Sequence, residues 1–327
     1  MPASNALLMT LNDVALTQKL KDIRHKTVKI DAGLQRRLLN TRDAAGDIGS
    51  GMSVEGEEKN KDLQGIITAN AKRAQESLRV LEETAKTPEF NLDSEQYRRA
   101  RFELYTIEKE LITKVLRKDK VERLPGLYVI VDTGWLKGRK HTEVARQVIK
   151  GGAKTIQIRC KERSTKEFLV IAGDLKKICA ENGVLFIVND SLEVALAVNA
   201  DGLHVGQEDM PVAEVKKLLP IDMILGCSVT TVEEAQKAKQ NGADYLGVGA
   251  IYATATKESA KAVGVGRIKE IKKSVDLPIV AIGGINKTNL SQVIKAGADA
   301  AAVISAILGA GDIEKAAREL VNIIGGA

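Results

Sequence analysis

Thr155-Ile156-Gln157-Ile158-Arg159-Cys160-Lys161-Glu162 alternates apolar and polar residues and then ends in charge. In a strand, side chains two apart share a face. Ile156 and Ile158 therefore pack on one side, Gln157 and Arg159 share the other, and Lys161 continues the polar series just past the strand. Such a strand suits the wall of a parallel barrel, with the isoleucines against outer helices and the polar residues toward the interior and mouth. Working outward, the design repeats from Leu127 onward. Strands are predicted over residues 127–132, 155–159, 185–190, 202–206, 223–229, 245–251, 278–284 and 300–305. Amphipathic stretches such as 164–182, 231–240 and 289–296 lie between them as helices. Gly151, Gly183, Gly242 and Gly297 each precede a strand by a few residues, as glycines that end helices do. Eight β-then-α units predict an α/β fold, a (β/α)8 TIM barrel over residues 125–327. The rival is a doubly wound open sheet, which usually carries a glycine fingerprint in its first βα turn. Asp132-Thr133-Gly134-Trp135 is not one.

Residues 1–120 follow another period. Tyr97, Ala100, Leu104, Ile107, Leu111 and Val115 recur every three or four residues, as do Ile67, Ala71, Ala74, Leu78, Leu81 and Ala85. Leu11, Val14, Leu20 and Ile23 suggest a third stripe. A mainly α-helical N-terminal domain is predicted for 1–120, with a Gly-, Ser- and Glu-rich loop over 44–61. The charged run 118–123, followed by Pro125-Gly126, marks the junction.

The 327 residues suffice for both domains, and a hydrophobic content of 44% supports a real core. The net charge of +6 divides evenly between the two parts, no basic block stands out, and aromatic residues make up only 3%. These features argue against nucleic-acid binding. Cys160, Cys179 and Cys227 are odd in number and lack metal-ligand spacing, so a reduced, cytoplasmic protein is expected. Met1-Pro2-Ala3-Ser4-Asn5 has no positive region ahead of an apolar stretch, and no apolar run approaches about 18 residues. Neither a secretory signal nor a membrane span is expected.

Each predicted barrel strand leads into polar residues or glycine, at the end where this fold carries its chemistry. Arg159 offers a planar fork for phosphate and Lys161 a point charge; the alternative is a structural ion pair with a neighbouring strand. Asn189-Asp190 ends the third strand and Asp209 follows the fourth. Carboxylates from adjacent strands can share Mg²⁺, which keeps several waters and binds substrate phosphates; alternatively, each caps the helix that follows. Ser228 ends the fifth strand, either as a donor to substrate or as a satisfied core hydroxyl. Thr254-Ala255-Thr256-Lys257 places two hydroxyls and an ammonium in the loop after the sixth strand, as an anion site or a solvated loop. Gly283-Gly284 and Ile304-Ser305 end the seventh and eighth strands, whose loops in this fold often bind phosphate through backbone N–H groups. His204 is expected to pack in the interior, and the cysteines to be small buried hydrophobes.

Taken in order, these segments resemble the thiamine phosphate synthase family. The likeness covers roughly residues 125–322: 127–132, 157–162, 188–190, 200–209, 242–249, 254–257, 281–285 and 303–307. Ala253 stands where the family commonly has Pro. The resemblance implies a transferase that joins a hydroxymethylpyrimidine diphosphate to a thiazole phosphate and releases pyrophosphate, with Mg²⁺ as cofactor and these two small molecules as partners. It implies that the run Gln157, Ile158, Arg159, Cys160 and Lys161, with Asn189, Ser228 and Lys257, meets the pyrimidine diphosphate. Thr254, Ala255, Thr256, Gly284, Ile304 and Ser305 meet the thiazole phosphate, and Asp190 and Asp209 hold the metal. Arg159, Lys161, Ser228 and Lys257 carry catalysis on this reading. The diphosphate departs from a carbon whose aminopyrimidine stabilises a cation, and the thiazole nitrogen attacks with its lone pair. No general base is required. Catalysis reduces to stabilising the departing charge and aligning two rings.

Residues 1–120 resemble, more loosely, a hydroxymethylpyrimidine-phosphate-kinase-like domain fused to some family members, through 41–49 and 70–83. No glycine-rich phosphate loop followed by Lys-Ser/Thr is present, and Arg73, Glu76, Arg79 and Glu83 also fit an ion-paired solvent face. Three alternatives stay open. The barrel fits a non-synthase relative such as a thiazole isomerase or regulatory ligand binder, or another phosphosugar enzyme, and residues 1–120 fit a helical assembly module. Self-association into a homo-oligomer is also left open by the sequence.

Overall fold

The computed structural model describes residues 13–27, 32–40, 62–89, 92–161, 163–254 and 261–327. The chain divides into two compact units, Met1–Leu116 and Arg117–Ala327.

The second unit is a closed barrel of eight parallel strands in sequence order. They are β1 Gly126–Asp132, β2 Thr155–Arg159, β3 Leu185–Asn189, β4 Gly202–Val205, β5 Ile224–Val229, β6 Tyr245–Val248, β7 Ile279–Ile282 and β8 Ala300–Val303. β8 closes on β1, with Gly126 opposite Ala300. The helices Thr165–Glu181, Val232–Gln240 and Leu290–Lys295 fall within a residue of the sequence expectation at each end. The last three strands stop two or three residues early. Their polar ends have already bent into the rim, where Gly283 (φ 98°) and Gly284 (φ 63°) leave the extended region.

The alternation in β2 holds. Ile156 and Ile158 are fully buried in the core between strands and outer helices, whereas the interior is filled by Leu124, Tyr128, Ile130, Leu185, Ile187, Ile224, Tyr245, Val280, Ala300 and Ala302. Large residues on some strands face alanines on β8, the complementary layering that fills this fold. At the opposite end from the rim, one device recurs. Asp201, Asp244 and Asp299 each sit just before a strand, accept the backbone N–H of Phe186, Leu225 or Ile279 at 2.8–2.9 Å, and pair with Lys176, Lys216 or Lys272. These aspartates clamp strand starts. Gly151 differs from its expected role as a left-handed helix end: its φ is −73°, and a Cβ there would lie 2.4 Å from Ala317 Cβ. It permits close helix packing, and Gly152 (φ 99°) makes the turn.

The charged run after residue 117 is helical as far as Glu122, in the helix Ser94–Glu122. Arg117, only 5% exposed, binds Asp244 at 3.0 Å and the carbonyls of Pro220 and Ile221.

The first unit is helical in its described residues: Val14–Thr27, Ala32–Asn40, Leu63–Thr84 and the body of Ser94–Glu122. The stripe from Tyr97 to Leu111 is buried as expected. Two other stripes need correction. In Leu63–Thr84 the buried positions are Ile67, Ala71, Gln75, Leu78 and Glu82, while Ala74 and Leu81 are exposed. The polar members are paired, Gln75 with Glu108 at 2.6 Å and Glu82 with Arg101 at 2.8 Å. The 3.6-residue period is intact, but it passes through two polar residues that an apolar count skips. In the first helix Leu16 and Ile23 are buried and Val14 is exposed; Leu11 and the 44–61 loop lie outside the described residues. Arg73, Glu76, Arg79 and Glu83 lie on the exposed face, with Glu83 paired to Lys86. No helix among the described residues is long and apolar enough to cross a membrane.

Candidate active site

A cavity of about 770 Å³ opens at the C-terminal ends of the barrel strands and reaches down to Tyr128, Tyr245 and Val280. Its wall brings together Gln157, Arg159, Lys161, Asn189, Asp190, Asp209, Ser228, Thr254, Gly284, Ile304 and Ser305. Ala255, Thr256 and Lys257 lie outside the described residues. As strand alternation leads one to expect, Ile158 turns into the outer core, and Cys160 packs against that core. Neither side chain lines the cavity, so only their main chain is left for a substrate. Burial pushes all three thiols up, Cys227 to about 11 and Cys179 to about 12. They are inert small groups, as expected.

At the end of β2, Arg159 Nη1 donates to Asp132 Oδ2 at 2.5 Å, across the β1–β2 register that sets these residues side by side. Asp132 is 3% exposed, and its other oxygen accepts the Gly134 N–H. The structural ion pair therefore exists, yet it uses one donor of the fork and aims the rest. The other guanidinium N–H groups, the Lys161 ammonium and the amides of Gln157 and Asn189 have no side-chain partner among the described residues.

Neither aspartate is a helix cap. Ser191 caps Leu192–Ala197, and the helix Val212–Leu218 starts at Pro211 without a side-chain cap. Asp190 sits at φ 63°, a left-handed position that Asp tolerates better than most residues. Asp209 Oδ2 accepts the Gly206 N–H at 2.7 Å. Burial, reinforced by the neighbouring Asp209 carboxylate, pushes the Asp190 carboxyl up to about 7, against the pull of Arg159 and Lys161. A paired carboxyl this reluctant to ionise fits a site completed by a cation. Among the described residues no group of three or more His, Cys, Asp or Glu gathers that could hold a metal. Asp190 and Asp209 are oxygen donors, the kind a hard divalent ion takes together with waters and substrate oxygens.

Ser228 lies at the end of a buried polar chain. His204 Nε2 is 2.9 Å from Ser228 Oγ, His204 Nδ1 is 3.1 Å from Tyr245 Oη, and Tyr245 Oη is 3.2 Å from Tyr128 Oη. Burial pushes the His204 imidazole down to about 4 and both phenols up, so all three are neutral at physiological pH. His204 is thus buried as expected, but it also touches the rim serine. Gln207 Nε2 holds the Ser228 carbonyl at 2.6 Å.

Asp132, Gln207 and Lys261 were not legible as site residues. Asp132 looks like the polar end of an apolar strand, Gln207 like part of a loop, and Lys261 belongs to a polar stretch without periodicity; it lines the cavity all the same. The one available signal was the register that sets Asp132 beside Arg159. On the other wall, Gly283 and Gly284 serve more than a ligand. A Cβ on Gly283 would lie 2.5 Å from Ala250 Cα, and one on Gly284 2.5 Å from the Ala253 carbonyl, so they also let the β6 and β7 loops meet.

Residues 127–307 match the model of the thiamine monophosphate synthase family, and residues 5–110 match that of the ThiD2 family. A thiamine-phosphate synthase of Methanospirillum hungatei is 48% identical over 200 residues, 61% of this chain and 97% of that protein. One from Thermosynechococcus vestitus is 36% identical over 310 residues, 95% of this chain and 86% of its own length. Among solved structures, a thiamine phosphate pyrophosphorylase from Pyrococcus furiosus is 43% identical, with a TM-score of 0.58 over 62% of this chain and 96% of that one.

Proposed function

The chain belongs to the thiamine monophosphate synthase family and is an enzyme that forms thiamine phosphate, and we propose that it does so by Mg²⁺-assisted loss of diphosphate from a hydroxymethylpyrimidine diphosphate, followed by attack of a thiazole phosphate nitrogen. The observation that carries this reading is the meeting of Arg159, Lys161, Asp190 and Asp209 in one cavity. Gln157 and Asn189 offer amides to the pyrimidine diphosphate, while Arg159 and Lys161 take its phosphate oxygens. Lys161 stabilises charge as the carbon–oxygen bond to the diphosphate breaks, acting like a preorganised donor. Asp190 and Asp209 would hold Mg²⁺, which supplies further charge neutralisation at the leaving group. Ser228 and Lys257 complete this half of the site. Thr254, Thr256 and the main chain near Gly284, Ile304 and Ser305 bind the thiazole phosphate and hold its ring against the pyrimidine. The nitrogen attacks with its lone pair, so no side chain need remove a proton.

The match to the ThiD2 family supports assigning residues 1–120 as a separate domain of the hydroxymethylpyrimidine-phosphate-kinase-like kind. The three free cysteines fit a reducing, cytoplasmic setting. The test is pyrophosphate release by the full chain from the two purified substrates. Release that requires both substrates and is abolished by chelation and restored by Mg²⁺ supports the proposal; release unaffected by chelation refutes the metal's part in it.

A further inference from the structure

The chain Tyr128–Tyr245–His204–Ser228 can be hydrogen-bonded in only two directions. A neutral imidazole carries one ring proton, and each hydroxyl one. In one direction Ser228 donates to His204 Nε2, Nδ1–H donates to Tyr245, and Tyr245 donates to Tyr128. The Tyr128 proton is then left without a protein acceptor, because the residue is 2% exposed and Tyr245 is its one hydrogen-bond partner among the described residues. In the other direction Tyr128 donates to Tyr245, Tyr245 donates to Nδ1, and Nε2–H donates to Ser228 Oγ. Every buried proton is then used, and the one left over belongs to Ser228, which lines the cavity. A buried polar hydrogen without an acceptor is costly, so the second direction is favoured.

The rings are seated on purpose-cut space. A Cβ on Gly226 would lie 2.2 Å from Tyr245 Cζ and 2.4 Å from His204 Nδ1, and one on Gly247 would lie 2.8 Å from His204 Cε1. Two glycines on neighbouring strands clear the room in which imidazole and phenol meet.

We propose that this chain is a one-way relay that fixes His204 as its Nε2–H tautomer and makes the Ser228 hydroxyl a donor toward an acceptor atom of the bound substrate. His204 and Tyr245 are then positioning residues that act through Ser228. The assignment rests on the reading above that Ser228 faces the pyrimidine diphosphate.

The first test needs no turnover. In the ¹⁵N-histidine-labelled full chain, the His204 signals, identified by their loss in His204→Gln, should show a pyrrole-type Nε2 and a pyridine-type Nδ1. Tyr245→Phe, which removes the donor to Nδ1, should populate both tautomers. A pyrrole-type Nδ1 in the wild type overturns the proposal. The second test is kinetic. His204→Leu should raise KM for the pyrimidine diphosphate by about five- to tenfold, as loss of one hydrogen bond does, and leave KM for the thiazole phosphate unchanged. His204→Gln, whose amide can accept from Tyr245 and donate to Ser228, should restore most of the loss. His204→Leu combined with Ser228→Ala should be no worse than Ser228→Ala alone. Losses that multiply in the double variant, or that fall equally on both substrates, would mean that His204 merely fills the core. A wild-type chain that released no pyrophosphate would count against the functional reading, while the tautomer measurement would still decide the relay.

Discussion

Mg²⁺ affinity should depend on pH through Asp190, with a direction and size that the site's electrostatics set. Burial first, and Asp209 second, push this carboxyl from 3.8 to about 7. A carboxylate ligand must be ionised to take a metal, so binding releases whatever proton it carries. At pH 6 a group of pKa about 7 is ionised in roughly one molecule in ten, so apparent Mg²⁺ affinity should be about tenfold weaker than at pH 8 and level off above pH 7. Calorimetric titration of the full chain in two buffers of different ionisation enthalpy should find about one proton released per Mg²⁺ at pH 6 and about none at pH 8.5. Asp209→Asn removes the second and third causes of the shift but not the first. The plateau should then extend to lower pH, while affinity on the plateau falls. The same shift acts on stability with the opposite slope. The folded-state pKa is raised, so without metal this group's favourable contribution is complete below pH 3.8 and is lost as pH rises through about 7. Thermal unfolding with and without Mg²⁺ should therefore diverge as pH climbs from 6 to 8. Affinity that is flat over that range, with no proton release, would refute the linkage between Asp190 and the metal.

Lys161→Ala should slow single-turnover product formation by about 10²- to 10³-fold, the usual cost of one preorganised donor; a near-normal rate would remove it from the leaving-group site. Asp132→Asn keeps the volume but loses the charge that clamps Arg159, and should raise KM for the pyrimidine diphosphate about tenfold, as expected for a charge-assisted hydrogen bond. Unchanged kinetics would mean that Arg159 needs no clamp. Gly226→Ala should destabilise the barrel by about 1–3 kcal/mol, because the added methyl meets two rings at once; urea denaturation with an unchanged midpoint would contradict the seating of His204 and Tyr245.

The barrel was legible because its signals are local. Alternation in β2 separates Ile156 and Ile158 from Gln157 and Arg159, and the ends of the strands carry the polar residues that the rim requires. Where a reading depended on what a residue touches, it strayed. Taken alone, Asp190 reads more readily as a cap than as a metal ligand, but Ser191 takes that part. Val14 belongs to an apolar stripe yet is exposed, and Gln75 and Glu82 fall outside every apolar stripe yet are buried, because polar pairing across two helices leaves no mark on an apolar period. His204 was rightly placed in the interior, but its contact with Ser228 depends on β4 and β5 lying side by side, with His204 in register with Gly226. Gly226 supplies the space and Gly247 the rest, two absences of a side chain that no single position advertises.

Charge accounting bears on why carboxylates would belong in a cavity proposed to receive phosphate. The described wall carries Arg159, Lys161 and Lys261 against Asp190, Glu208 and Asp209, and Asp132 already engages Arg159. These cations are largely offset before any ligand arrives. A diphosphate entering such a wall would meet like charge from Glu208 and Asp209 beside an Asp190 carboxyl that resists ionising, which alone would weaken binding. A divalent ion held by the two aspartates, as proposed above, would offset that repulsion and favour the ionised form of Asp190. The opposite wall, at the ends of β7 and β8, offers glycine, main chain and the Ser305 hydroxyl, a neutral setting for a singly phosphorylated partner that leaves nothing behind. The asymmetry of the rim, charged after β2 to β4 and neutral after β7 and β8, thus supports the reaction proposed above, in which one substrate would lose a highly charged group and the other keep its own.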